Sequence, residues 1–275
     1  MTRNWHHAGV PRLGPTLLSL ALAGVMTLAA YTDPVLVGVA VLLVQVLIAV
    51  GPGPVDRAGI AIASPRLVPV LVAGVVATAL SLEPDLLTGA DGTSTDVIGI
   101  SDTGVFAGAI PGVAAAVFVA LVAQMLRRDG RTDLVQSVGY AVLLSATAVL
   151  AIGWIGAAQS IGGAACVAVA AAGVGAGLLA WMLPVDRWIC LSLATLAGAA
   201  AGAAVVLAVD SIMTAYFGVL VGAAAAILAV VGQVVARTVG GHGTHPSVAW
   251  GFPGAMAIAL VGPVAYLGGQ LVTAA

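Results

Sequence analysis

The sequence predicts an all-α integral membrane protein, a polytopic helical bundle of about nine transmembrane helices with a cytoplasmic N-terminus and an outside C-terminus. The first observation is composition, because 61% of the 275 residues are apolar and 7% are charged. Soluble proteins carry about 25% charged residues, so this chain lacks the charge for a water-facing surface, whereas lipid solvates an apolar exterior. The second observation is a series of long apolar runs, and the third is the placement of the arginines between them.

The apolar runs divide the chain into predicted spans. A membrane-crossing helix needs about 20 mostly apolar residues, and charge, proline or turn clusters mark the breaks between such helices. We therefore predict spans at residues 15–31, 34–51, 67–82, 104–126, 134–157, 161–183, 188–209, 212–236 and 248–272, all within one multi-pass domain covering 1–275. The turns near Gln159 and Asp210 are placed by length alone, because each divides a long apolar run that has no strong breaker.

The arginines test this division of the chain. The chain has no lysine, and with a cytoplasmic N-terminus every basic residue falls in a predicted inner segment. These residues are Arg3, Arg12, Arg57, Arg66, Arg127, Arg128, Arg131, Arg187 and Arg237. Basic residues near span ends are retained in the cytoplasm, so the distribution supports both the orientation and the number of spans. The segment QMLRRDGRTDLV between spans four and five is the strongest predicted anchor.

Aromatic residues give a second indication of the span ends. Tyrosine and tryptophan prefer the headgroup level of a bilayer. We predict that Tyr31, Trp154, Tyr216 and Tyr266 lie near outer ends, and that Trp181, Trp188 and Trp250 lie near inner ends.

The composition also bears on the source and on the partners. Arginine without lysine, together with abundant alanine, glycine and valine, is typical of a GC-rich genome, so we expect a bacterial cytoplasmic membrane protein. The first span follows a basic stretch, but Leu28 and Ala30 make a poor cleavage site, so we expect a retained helix. The expected partner is the lipid bilayer. No basic block predicts a nucleic-acid partner.

Small residues predict how the helices pack. Helices in lipid associate where small side chains let two backbones approach, often at a small-xxx-small spacing. The predicted packing glycines are Gly104, Gly108, Gly112, Gly173, Gly177, Gly198, Gly202, Gly218 and Gly222.

Prolines and isolated polar residues predict where a cavity would lie. Span nine contains GFPGAM and VGPVAYLGG, and broken helices tend to line cavities because their freed backbone groups need partners other than lipid. The predicted cavity-lining residues are Gln45, Asp210, Pro253 and Pro263. The alternatives are a proline kink satisfied by neighbouring helices and, for Asp210, an N-cap of the following helix.

Residues with catalytic or metal-binding chemistry are sparse. Gln45 is the only strongly polar residue near a predicted span centre, whereas ion-coupled carriers and membrane catalysts usually keep ionisable groups there. His242 and His245 are too few for a closed metal site. The predicted outer loop, about residues 83–103, holds five carboxylates without a basic residue, a field that would attract cations. We predict no catalytic residue, no metal and no cofactor, and therefore not an enzyme.

Three functions remain open from the sequence. The first is a passive or subunit-type, permease-like transport component with a cavity beside the proline-containing last span. The second is a non-catalytic membrane scaffold that binds other membrane proteins through small-residue faces. The third is a lipid-modifying membrane enzyme, which would need at least three ionisable side chains close enough to perturb one another's pKa.

Overall fold

The structure is a computed structural model that describes residues 13–53, 64–83, 108–127, 133–209, 213–239 and 246–271. Several predicted features lie outside these ranges: Gly104, Asp210, His242, His245 and the acidic loop beyond Glu83. Within the described ranges every element is an α-helix, and none is a strand.

Ten helices make up the described part of the chain. They are α1 (Leu13–Thr32), α2 (Pro34–Ala49), α3 (Leu67–Leu82), α4 (Ala109–Met125), α5 (Leu134–Leu150), α6 (Gly153–Gln159), α7 (Gly163–Trp181), α8 (Arg187–Ala208), α9 (Ala215–Val239) and α10 (Pro246–Leu271). Each helix falls within or close to a predicted span, and α5 and α6 together occupy the fifth.

Six of the helical segments are long and apolar enough to cross a membrane: α1, the α5–α6 pair, α7, α8, α9 and α10. The helices α2, α3 and α4 are apolar but have 16, 16 and 17 residues. At ~1.5 Å per residue such helices span roughly 24–26 Å, somewhat less than the ~30 Å hydrocarbon core. The protein is therefore an all-α, membrane-embedded, multi-pass protein.

Local sequence explains several helix starts. Asp33 accepts a hydrogen bond from the Val35 backbone N–H at 2.8 Å, with Pro34 as the first residue of α2. Asp186 caps α8 in the same way through the Trp188 N–H at 2.9 Å. An aspartate oxygen satisfies a backbone donor that has no partner in the first turn, and proline has no such donor to leave unpaired.

Helix α10 lies at the centre of the bundle. It packs against α2, α5 and α6 on one side and against α1, α7 and α9 on the other. On the first side, α3 joins α2, α4 and α5. On the second side, α7, α8 and α9 pack closely against one another. The predicted last span, rich in glycine and proline, thus packs between two groups of helices, which also meet through α1–α2 and α6–α7.

The predicted packing glycines that are described all lie at helix contacts. In α4, a methyl group added to Gly108 or Gly112 would come within 3.0 Å of the α3 backbone or side chains. In α7, α8 and α9, glycines from all three helices meet one another. A methyl group on Gly173 would lie 2.6 Å from the Gly222 carbonyl oxygen, and one on Gly198 would lie 2.6 Å from the same oxygen. Only glycine permits these backbone approaches.

The break between α5 and α6 coincides with a proline of α10. The two helices approach closely at glycines: a methyl group on Gly153 would clash with the backbone of Gly262 and Pro263, and one on Gly262 would clash with the Leu150 carbonyl. The turn itself is tightened by short-range backbone bonds such as Ile152 N–H to the Val149 carbonyl at 3.0 Å. A helix can loosen its regular pattern where its neighbour supplies contacts.

The four described arginines, Arg66, Arg127, Arg187 and Arg237, lie at one end of the bundle, hereafter the arginine end. Gly112, near the start of α4, packs against Ala77, near the end of α3, so these helices are antiparallel and the arginine at the start of α3 lies beside the arginine after α4. Gly173 of α7 meets Gly222 of α9, and four residues later Gly177 meets Ala226. The two helices are therefore parallel, and their C-terminal ends lie at the same level.

Helix α10 joins the ends of the two groups. A side chain at Gly51, just after α2, would meet the Phe252 ring near the start of α10. Gly232, two turns from the end of α9, contacts the Ala257 backbone of α10. The end of α9 therefore lies at the same level as the end of α2 and the start of α3.

Candidate functional site

Gln45 links three helices instead of standing alone. Its side-chain amide donates from Nε2 to Thr78 Oγ1 of α3 at 3.2 Å and to the Ala148 carbonyl of α5 at 3.3 Å. Thr78 Oγ1 lies 3.3 Å from Gln45 Oε1 and can donate to it. Gly74 makes room, since a methyl group there would lie 2.5 Å from Oε1. All polar atoms of this side chain thus have partners within the bundle.

The two prolines predicted to line a cavity lie inside one uninterrupted helix. Of the two alternatives that the sequence leaves open for the last span, a broken helix and a helix with prolines supported by its neighbours, the second fits α10, which continues through Pro253 and Pro263. Pro253 is buried and Pro263 half-buried. Pro69 and Pro111 fall in the first turns of α3 and α4, where proline is tolerated because those N–H groups have no helical partner.

Side chains from neighbouring helices donate to α10 carbonyls. Ser19 Oγ lies 3.2 Å from the Gly254 carbonyl, Trp154 Nε1 lies 2.9 Å from the Ile258 carbonyl, and Cys166 Sγ lies 3.1 Å from the Ala265 carbonyl. Such bonds support a helix that contains proline. They also fix α10 against α1, α6 and α7.

Trp154 departs from the aromatic belt that the sequence predicts. Its indole is fully buried and bonded to α10, so the prediction of a headgroup position was wrong for this residue. By contrast Tyr31, Trp188 and Tyr216 are 52%, 72% and 69% exposed. A tryptophan with a hydrogen-bond partner inside the bundle can be buried completely.

Among the described residues, three buried polar side-chain atoms have no hydrogen-bond partner. They are Thr16 Oγ1 of α1, Trp181 Nε1 of α7 and Gln233 Nε2 of α9. Thr16 and Gln233 are 1% and 0% exposed. More than nine in ten buried polar groups in proteins are bonded to protein or to ordered water, so these three atoms are candidates for binding water or another polar molecule.

Helix contacts place Thr16 and Gln233 at nearby levels along α10. Gly254 contacts the Pro15 carbonyl and the Leu18 side chain of α1, next to Thr16. One turn further along α10, Ala257 contacts Gly232, next to Gln233. The third group belongs to α7, which packs against α1, α9 and α10.

The register of α7 places Trp181 at that level. Gly175 approaches Leu20 of α1, and Trp181 lies six residues, or ~9 Å, further toward the arginine end. Trp181 also follows Gly177 by four residues, so it shares the α7 face that meets α9. We call Thr16, Trp181 and Gln233 the unpaired polar group.

Charge lies close to the unpaired polar group. Arg237 Nη2 donates to Gln233 Oε1 at 3.3 Å, one helical turn away along α9. The amide oxygen is therefore occupied, while the amide nitrogen and the Trp181 N–H can only donate. The unpaired polar group therefore offers mainly hydrogen-bond donors, so a molecule that binds there must carry hydrogen-bond acceptors.

A second polar region lies at the arginine end of α2, α3 and α5. Arg66 donates from Nε and Nη2 to the Gly51 carbonyl at 3.2 and 2.6 Å, and Tyr140 Oη donates to the Pro52 carbonyl at 2.6 Å. Ser64 Oγ donates to the Ser137 carbonyl at 3.1 Å. A depression of about 300 Å³ opens beside this region.

The glutamine of α4 extends this polar region. Gln124 Nε2 donates to Ser137 Oγ at 2.7 Å, and Arg127 Nη1 donates to Gln124 Oε1 at 2.8 Å. Gln124 is 2% exposed. Gln45, Gln124 and Gln233 are all buried, but the sequence predicted a functional position for Gln45 alone.

Metal-ligand and thiol side chains were examined across the described ranges. They contain no group of three or more histidine, cysteine, aspartate or glutamate side chains that could hold a metal. Cys166 and Cys190 are buried free thiols. Glu83 follows α3, and the other acidic-loop residues, with His242 and His245, lie outside what the structure describes.

Comparison with known proteins gave no match to a family model, to a curated protein or to a solved structure. Any function must therefore be argued from this chain's own residues.

Proposed function

We propose that the protein is a permease-like transport component of a bacterial cytoplasmic membrane, acting passively or as a subunit. It crosses the membrane nine times, with the arginine end in the cytoplasm. The shared end of the four described arginines supports this orientation, because cytoplasmic retention of basic residues is the main determinant of topology. The short helices α2, α3 and α4 complete the nine crossings in this proposal.

The unpaired polar group carries the transport proposal. Each buried donor without a partner costs roughly 1–3 kcal/mol, and lipid offers no replacement. Three such groups at about the level of Gly254 and Ala257 are understandable if water or a polar solute enters alongside α10 and supplies acceptors. Gly254 and Ala257 are small residues, and Pro253 lies in the same turn of α10.

A membrane scaffold is the second candidate, and Gln45 favours it. The bonds from Gln45 to Thr78 and Ala148 seal the interface of α2, α3 and α5. A bundle that is closed throughout in the same way would have no solute path, and its outer faces would then serve other membrane proteins.

Solute flux separates these two functions. Purified protein in liposomes would be tested by osmotic swelling against small neutral, cationic and anionic solutes. We expect at least one solute to enter faster than into protein-free liposomes, and Gln233→Leu to slow that entry. Thr195→Val, which removes a hydroxyl bonded within α8, is the matched control and should leave flux unchanged.

Two results would contradict these expectations. No entry above the protein-free rate for the whole panel, in protein shown to be folded, would reject transport and leave the scaffold function. Equal slowing by Gln233→Leu and Thr195→Val would reject the proposed path along α10.

A further inference from the structure

The depression beside Arg66 combines a cationic group with an apolar wall. Its lining includes Val50, Ser64, Arg66, Leu67 and Val68. The depression belongs to the arginine end, at the start of α3, and it shares no residue with the unpaired polar group. Binding in this depression does not depend on transport, but the leaflet rests on the orientation proposed above.

The Arg66 guanidinium is fixed by two hydrogen bonds and keeps further N–H donors for a ligand. Two of its N–H groups bind the Gly51 carbonyl, which fixes the guanidinium beside the turn after α2. A guanidinium has five N–H donors, and the remaining ones have no partner among the described residues. Its planar fork fits two oxygens of a phosphate.

The apolar wall of the depression faces outward from the bundle. Val50, Leu67 and Val68 are 49%, 47% and 53% exposed. With the arginine end at a membrane surface, as proposed above, these side chains would contact acyl chains just below the headgroups, and Arg66 would lie at the headgroup level. Ser64 is tied to the Ser137 carbonyl and closes the side toward α5.

From this combination we infer that the depression is a binding site for an anionic phospholipid of the cytoplasmic leaflet. The lipid phosphate binds the Arg66 guanidinium, and the upper part of an acyl chain lies along Leu67 and Val68. A free phosphate ion would use the guanidinium but gain nothing from the apolar wall, so the wall favours the lipid as the occupant.

Lipid titration tests this site in the full-length protein. Delipidated protein in a neutral detergent would be titrated with phosphatidylglycerol, phosphatidylcholine or inorganic phosphate, with bound lipid counted by native mass spectrometry and Tm recorded in parallel. We expect phosphatidylglycerol to bind in preference to phosphatidylcholine and to raise Tm, and inorganic phosphate at equal concentration to leave Tm unchanged.

Variants locate the binding. Arg66→Gln should weaken phosphatidylglycerol binding about tenfold or more, as expected for a lost charge-assisted contact. Arg187→Gln removes an arginine from the same end but outside the depression and should change binding less than twofold. Val68→Asn leaves the guanidinium intact, obstructs the acyl chain and should also weaken binding.

Each result either supports or overturns the lipid site. Should Arg66→Gln fail to fold, Arg66→Lys, which keeps the charge but loses the fork, and Val68→Asn still report on the site. If Arg187→Gln and Arg66→Gln weaken phosphatidylglycerol binding equally, the inference is overturned, because the lipid is then attracted to the positive charge of the whole arginine end. Equal binding of phosphatidylcholine and phosphatidylglycerol also overturns it. A Tm rise with inorganic phosphate equal to that with phosphatidylglycerol overturns it as well, because the site then binds a free anion.

Discussion

Gly173 of α7 and Gly222 of α9 lie in backbone contact: a methyl group on Gly173 would stand 2.6 Å from the Gly222 carbonyl oxygen. We expect Gly173→Ala to lower the free energy of unfolding by roughly 1–3 kcal/mol, because neither backbone can move without disturbing α8 as well. Reversible unfolding of the purified protein in mixed micelles, with increasing fractions of denaturing detergent, measures this change.

Two other glycines provide matched controls for that substitution. Gly24 and Gly139 are helical and have no atom within 4 Å of an added methyl group. Alanine there should be neutral or stabilising by up to ~1 kcal/mol, since glycine is a poor helix former. If Gly24→Ala and Gly173→Ala destabilise the protein equally, close contact between α7 and α9 is not the reason.

The Trp154 indole provides a second prediction. Trp154→Phe keeps most of the ring but removes the N–H that binds the Ile258 carbonyl at 2.9 Å. We expect a loss of about 1 kcal/mol, typical of one hydrogen bond between helices in a membrane protein. Trp188→Phe, at a 72% exposed position, should change the unfolding free energy by much less, and similar losses at both positions would contradict the assignment.

Gln45 and Thr78 should behave as a coupled pair. Gln45→Leu leaves the Thr78 hydroxyl without its partner, and each single substitution should cost roughly 1–2 kcal/mol. The double variant with Thr78→Val should lose less than the sum, because it leaves no unpaired group between α2 and α3. Strict additivity in a double-mutant cycle would show that the two side chains do not interact.

Helix positions were largely predictable from the sequence, because composition and the length of apolar runs determine where a chain can cross lipid. The helices α3 and α8 begin and end within a residue or two of the predicted limits. The turn at Ala151 and Ile152 was not predicted, because no breaker stands there. It depends on the contact with Gly262 and Pro263, which only the folded chain brings together.

The polar groups of the interior were harder to predict. Gln233 follows Gly222 and Ala226 at helical spacing, so its place on a buried stripe was readable in the sequence. That its amide nitrogen lacks a partner was not readable, because partners come from other helices. The same reason explains Trp154: a tryptophan near a span end predicts a headgroup position unless a carbonyl of another helix accepts its N–H.

Water access to the unpaired polar group is a fourth prediction. In a background with Cys166→Ala and Cys190→Ala, Thr16→Cys in liposomes should react with a small charged thiol reagent, because the proposed transport path would hydrate this position. Ser145→Cys is the control: Ser145 is fully buried and bonded within α5, so the cysteine there should stay unreacted. Protection of both positions would indicate a dry interior and favour the scaffold.

Membrane topology is the fifth prediction, and it follows from the arginine end. Single cysteines would be placed beside Asp96 and beside Gly130, both outside the described ranges, in the same cysteine-free background. In intact cells an impermeant thiol reagent should label the cysteine beside Asp96 only, and lysis should expose the one beside Gly130. The two positions flank the fourth span, so an odd number of crossings must separate them. If both cysteines are labelled from the same side, α4 does not cross the membrane. If only the cysteine beside Gly130 is labelled in intact cells, the orientation is the reverse of the one proposed.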